Sequence, residues 1–206
     1  MNRFLGPESK FYEAISLLAD LVILNVLLIV SSFPVFTGGM ALRTAHEVMG
    51  QMVRDEGSHR ALTYLRGLTV RPAVNTAWWL LCLAAGALGA YELWVMGRAG
   101  LADAAVLVLR AAITSGLLVL GLITVWFFHL DPQGPEGFRR RFIVSANRTI
   151  AQLPRTALAL LPWLVLAFFP LFVPSQLGMY IFFVATIGPA LAVYLSELAL
   201  QWETGT

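Results

Sequence analysis

Residues 104–130 read AAVLVLRAAITSGLLVLGLITVWFFHL and carry a single formal charge, Arg110. The run is far longer than a β-strand needs. It exceeds the roughly 20 apolar residues with which a helix crosses a bilayer. A lone strand in lipid would leave its backbone groups unpaired, so the stretch predicts a membrane-spanning helix. Working outward, four further segments read the same way: 12–33, 73–96, 156–173 and 177–199. A sixth, 39–54, is short and carries Arg43, His46 and Glu47. Sixteen residues of helix still reach about 24 Å.

Composition agrees. The chain has 206 residues, of which 58% are hydrophobic and only 13% charged, with a mean hydropathy of +0.75. Soluble domains carry about 25% charged residues. A soluble globular domain and a disordered chain are both excluded. The length suits one integral membrane domain over 1–206, with no room for a separate nucleotide-binding or large catalytic domain. Within it we distinguish 1–57, 58–130 and 131–206. Net charge is +2, and the basic residues are spread over short loops, so no nucleic-acid partner is expected. Cys82 is the only cysteine, which rules out an intrachain disulfide. The first apolar run is too long for a signal-peptide core, and Ser31-Ser32-Phe33-Pro34 offers no small-x-small cleavage site. It is read as a retained span.

Basic residues set the orientation. Arg54, Arg60, Arg66 and Arg71 fall in one interval, and Arg139, Arg140, Arg141, Arg148 and Arg155 in another. The segments 54–71 and 131–155 and the C-terminus are therefore expected to be cytoplasmic, and 97–103 external. Spans 73–96 and 104–130 form one hairpin, and 156–173 and 177–199 a second. Whether 39–54 crosses decides the side of the N-terminus. Crossing puts Arg3 and Lys10 inside, and that six-segment arrangement is preferred, with 34–39 as an outer turn or a re-entrant break. Trp126, Phe127 and Phe128 are expected at one interface, and Tyr91 and Trp94 at the other.

Two cytoplasmic amphipathic helices are expected at 59–70 and 136–153. In the second, Phe138, Phe142, Ala146, Ile150 and Leu153 share one face. Aligning Pro72 with Pro154 matches Arg66 with Arg148, as in a distant duplication. Such helices lie on anionic headgroups or dock a cytoplasmic partner. The docking candidates are Arg60, Arg66, Phe138, Arg140, Phe142 and Arg148.

Asp20-Leu-Val-Ile-Leu-Asn25, then Phe33-Pro34-Val35-Phe36-Thr37-Gly38-Gly39, then Arg54-Asp55-Glu56-Gly57 resemble the YesL family of small bacterial integral membrane proteins of unknown function. So does Phe138-Arg-Arg-Arg-Phe through Leu153-Pro154-Arg155. Phe33 departs from the usual Leu before the proline, and Gly39 from the typical small residue. Members of that family are commonly encoded beside carbohydrate ABC-transporter components. The resemblance therefore implies a bacterial plasma-membrane accessory or regulatory protein of sugar uptake, non-enzymatic, with ABC permease subunits as partners. It carries over no site residues.

Polar groups within spans are costly and often functional. The alternative function is a small oligomeric carrier or channel, its ligand or ion site built from Asp20, Asn25, Thr37 and Gly38 at the 34–39 break. Asp20 is otherwise a structural acid or the ion-pair partner of a neighbouring helix. Glu92 and Arg110 are expected to form an intramembrane ion pair, with Arg43 and Glu47 as competing partners. Ala85/Gly89, Gly86/Ala90 and Ala112/Gly116 are small-residue pairs that let helices approach. Enzyme motifs fail: His46-Glu47-Val48-Met49-Gly50 begins a zinc motif but lacks its second histidine. His46, His59 and His129 have no further ligand at metal spacing. No cofactor or metal is expected, and the oligomeric state is left open.

Overall fold

The computed structural model describes residues 10–98, 102–130 and 137–201, and the secondary structure among these is helical, with no strand. Arg3, part of the 97–103 connection, and residues 131–136 and 202–206 fall outside the described residues. The helices are α1 (Lys10–Ser32), α2 (Gly38–Val53), α3 (Arg60–Gly67), α4 (Pro72–Met96), α5 (Asp103–His129), α6 (Phe138–Ala151), α7 (Leu153–Phe172), α8 (Leu177–Thr186) and α9 (Gly188–Gln201). Four of them, α1, α4, α5 and α7, are long and apolar enough to cross a membrane. The α8–α9 pair makes a fifth if it is one bent span.

The segment expected as one span over 177–199 is broken at Ile187 and bent by 65°. Proline explains the break: Pro189 has no N–H to give the Ala185 carbonyl. Asn25 of α1 fills the gap. Its Nδ2 donates to the Val184 and Ala185 carbonyls at 3.1 and 2.9 Å, and its Oδ1 accepts from the Ala190 N–H at 3.0 Å.

Helix α2 lies inside the bundle, packed against α1, α3, α4, α5 and α9. Arg43, Thr44 and His46 are buried on it. Close approach to α4 needs glycine: a Cβ on Gly39 would lie 2.3 Å from the Asn75 carbonyl oxygen. The 34–39 turn is pinned to the first turns of α4, where Trp79 Nε1 donates to the Val35 carbonyl at 2.7 Å and Thr76 Oγ1 to that of Phe36 at 3.1 Å. The break thus sits at the same end of the α4–α5 hairpin as Arg71.

Helix α6 is rotated from its apolar pattern, with Phe138 and Phe142 packed on Trp78 but the rest of the stripe turned outward. Its buried stripe is Arg141, Ser145 and Thr149, while Ile150 is 78% exposed. The reason is the end of α5. Arg141 Nε donates to the Phe127 carbonyl at 3.0 Å and Nη2 to that of Leu130 at 2.9 Å, satisfying groups a helix C-terminus leaves open. Lipid is as good a solvent for Ile150 as a core would be. Helix α3 does not repeat this arrangement: it buries Tyr64 and Gly67 against α1 and α2. Burial pushes the Tyr64 phenol up to about 12 against an opposing hydrogen bond with Ser31, so it stays a neutral hydroxyl.

Aromatic placement is split. Tyr91 and Trp94 are exposed and stacked, with the Arg98 guanidinium 3.9 Å over the Trp94 ring, as a bilayer interface favours. Trp126, Phe127 and Phe128, in the last turns of α5, are buried within the protein. Trp126 Nε1 donates to Thr156 on α7 at 2.7 Å, and Phe127 stacks on Trp78 of α4.

Candidate functional site

Three helices meet at a buried carboxylate. Glu197 of α9 is 1% exposed. His46 of α2 places Nδ1 2.7 Å from its Oε1, and His129 of α5 places Nδ1 2.8 Å from its Oε2. Gln201, one turn on, donates Nε2 to Oε2 at 2.8 Å. Its own Oε1 accepts from Arg54 at 3.3 Å. Gly50 leaves space for this contact: a Cβ there would lie 3.1 Å from Glu197 Oε2. A carboxylate taken out of water needs hydrogen-bonding partners, and this one has His46, His129 and Gln201 within reach. The rings are themselves held, His46 parallel to Phe128 and His129 against the edge of Trp126.

His46 also lines a cavity of about 500 Å³ between α1, α2, α4, α5, α7 and α9. The rest of the wall is almost wholly apolar, with Leu28, Leu120, Phe128 and Trp163 among its members. Size and lining are those of small-molecule sites, which run from about 300 to 1,000 Å³. Cys82 and Thr124 share the wall, the sulfur 3.5 Å from the hydroxyl. Cys82 and His46 make no hydrogen bond to each other, so no nucleophile–base pair is assembled. Among the described residues no group of three or more His, Cys, Asp or Glu side chains is placed to hold a metal ion.

The sequence candidates fall elsewhere. Asp20 is ion-paired with Arg60, which joins a ligand candidate to a docking candidate. Asn25 is 0% exposed, and both its donors and its carbonyl go to the α8–α9 break. The Thr37 hydroxyl lies 2.5 Å from the Ser31 carbonyl and 2.6 Å from that of Pro34, and so closes its own turn. Gly38 begins α2 under the Trp79 ring. None of these four lines the cavity. Glu92 and Arg110 are both exposed and form no ion pair. Glu92 faces the α4–α5 seam beside Leu109, Ala112 and Ile113, and Arg110 points away from it. Arg43 pairs with Glu47 at 2.5 Å and donates to the Gly67 carbonyl, so Glu47 is not the partner of Arg110, nor Arg43 that of Glu92.

Of the docking candidates, Arg66, Arg140 and Arg148 are exposed. Arg148 lies over the Trp126 ring. Phe138 and Phe142 pack on Trp78. The reading of the residues missed Glu197 and set aside His46 and His129 for want of metal spacing. The signal was present: Glu197 is a lone carboxylate in an apolar helix with no cation one turn away on that helix. No family model, curated protein or solved structure matches this chain.

Proposed function

We propose that the chain is a non-enzymatic multi-pass membrane protein that binds one largely apolar small molecule in the cavity beside His46. The supporting observation is the cavity itself: about 500 Å³, walled by hydrocarbon, with one imidazole oriented by a buried carboxylate. Binding sites of this kind combine apolar area with a few fixed polar groups that set orientation. This is the carrier reading with its site moved from Asp20, Asn25 and the 34–39 break to His46. The test is titration of the purified chain in nanodiscs with N-phenyl-naphthylamine, a fluorophore that brightens in apolar surroundings. Saturable one-site binding that Leu120→Trp removes is expected. Uptake that stays linear and equal in the variant would sink the reading.

A second reading rests on the YesL resemblance and on the exposed surface near the basic segments. There the chain would act as an accessory of carbohydrate ABC-type uptake in a bacterial plasma membrane, with the arginine-rich segments cytoplasmic. Arg66, Arg139 and Arg140 are exposed alongside Leu62, Leu65 and Ile143, a mixed basic and apolar face that a permease loop or an anionic leaflet would suit. Arg60, committed to Asp20, leaves the docking set. Recovery of permease subunits from the native host, lost on reversal of Arg66 and Arg140 to glutamate, supports this reading. Recovery unaffected by both reversals rejects the face.

A further inference from the structure

Glu92 and Arg110 are charged residues inside two apolar helices, and among the described residues neither side chain has an ion pair or a hydrogen bond. Ionisable groups within a span are costly and take partners. Arginine has a long stem that reaches for headgroups, and glutamate has less of that freedom. Glu92 edges a groove of about 320 Å³ between α4 and α5. Val95, Met96, Leu109, Ala112 and Ile113 form most of its wall, and Glu92 is the one charged residue on it among those described. No residue from 102 to 112 of α5 is buried, so this end of the hairpin is open to a neighbour. A groove of this kind fits a cation on an apolar stem.

The same hairpin carries such a group. Glu92 lies one turn before the end of α4 at Met96, and Arg110 two turns after the start of α5 at Asp103. The two therefore differ in depth by about 4 Å, which an arginine stem covers. Arg110 does not enter the groove of its own chain. Helical spacing sets it beside Leu117, two turns on, which lines the large cavity, whereas Leu109 and Ala112 line the groove. Groove and cation thus sit on different sides of one hairpin. Two such sides meet head to tail, in a contact that closes into a ring or runs on, and not in a two-fold pair. Close approach is open: Ala112 is on the groove wall, and a Cβ on Gly116 would meet nothing within 4 Å.

We propose that copies of this chain associate head to tail in the membrane, Arg110 of one copy entering the α4–α5 groove of the next and pairing with Glu92. Each contact takes one charge from each copy. The contact stands apart from the cavity beside His46, and its failure would leave the cavity reading in place.

The test counts copies. Chains carrying a fluorescent protein at the C-terminus are reconstituted into phosphatidylcholine liposomes over a range of protein densities, and photobleaching steps per liposome are compared with random occupancy. Wild type should assemble beyond two copies. Glu92→Gln and Arg110→Gln should each weaken association by about tenfold or more. Mixing the two variants should restore one contact, between Arg110 of the first and Glu92 of the second, and stop at two copies. Exchange of both charges, Glu92→Arg with Arg110→Glu, should restore assembly beyond two. Unfolding by SDS in mixed micelles, where each copy stands alone, should be unchanged by either single variant, because the pair does not exist within a chain. Random wild-type occupancy would overturn the proposal, as would assembly that neither variant weakens. Wild type stopping at two copies would overturn the head-to-tail arrangement. A mixture that fails to pair while both variants unfold as wild type does would overturn the contact between Arg110 and Glu92.

Discussion

Helices α2 and α5 are opposites in composition and in surroundings. The most apolar 18-residue stretch of α5 is 0% buried within the protein. Helix α2 carries Arg43, Thr44, His46 and Glu47 and is the helix around which α1, α3, α4, α5 and α9 pack. In water the more apolar helix would be inside. In a bilayer there is no hydrophobic gain from burying leucine against leucine, and the interior goes to groups that need partners. Most of the polar interior of this protein is hydrogen-bonded, with Asn25 on a helix break, Arg141 on a helix end and Glu197 between two histidines, while Thr44 Oγ1 and Asn75 Oδ1 are buried without a partner. The α4–α5 hairpin is held mostly by shape. The comparison predicts that substitutions in the first region cost far more than matched ones in the second.

The largest effect is expected at Asn25. Leucine has nearly the same volume but leaves the Val184 and Ala185 carbonyls and the Ala190 N–H unpaired. Each orphaned buried group costs about 1–3 kcal/mol, so Asn25→Leu should lose about 3 kcal/mol or more in reversible unfolding by SDS in mixed micelles. A loss no larger than that of an exposed α5 substitution would mean that α8 and α9 do not depend on α1 for their bend.

Next comes Gly39. The Asn75 carbonyl that a methyl would strike is backbone and cannot swing aside. Overpacking of this kind costs about 1–3 kcal/mol. Gly86 on α4 has nothing within 4 Å of its would-be Cβ, so Gly86→Ala should leave unfolding unchanged or slightly stabilise the helix. Equal losses for the two would show that α4 is packed on that face by something outside this chain.

The Asp20–Arg60 pair is intermediate, with side chains 28% and 29% exposed. A double-mutant cycle with Asp20→Asn and Arg60→Gln should give a coupling of about 1 kcal/mol or less, weakened by salt. Coupling of several kcal/mol would make this pair part of the polar interior and not its edge.

The same contrast explains which features could be read from residues alone. Hydropathy recognises what lipid touches, so α1, α4, α5 and α7 were apparent from composition and length. The bend in α8–α9 was hidden because Pro189 lies within an apolar run and its compensating residue, Asn25, is more than 160 positions away. The inward face of α6 was hidden for the same reason: Phe138, Phe142 and Ile150 form a conventional apolar stripe, and only the open end of α5 explains why Arg141 is drawn in. Asp20 and Asn25 were visible as anomalies, but their roles depended on Arg60 and the break. His46, His129 and Glu197 come from three helices, and no spacing rule joins them.

The smallest expected effect concerns the pair that sequence reasoning joined. Glu92 and Arg110 stand at comparable depth on the two arms of a hairpin, yet one faces the seam and the other faces out. Residues at equal depth on adjacent helices meet only if both lie on the contact stripe, and Arg110 is one position from Leu109, which does. Arginine has a long stem and can carry its charge toward the headgroups without a protein partner. A double-mutant cycle with Glu92→Gln and Arg110→Gln should therefore give coupling indistinguishable from zero at low and high salt alike. Measurable coupling would show that the bilayer rotates α5 against α4, and the division between a polar interior and a hairpin held by shape would have to be redrawn at that seam.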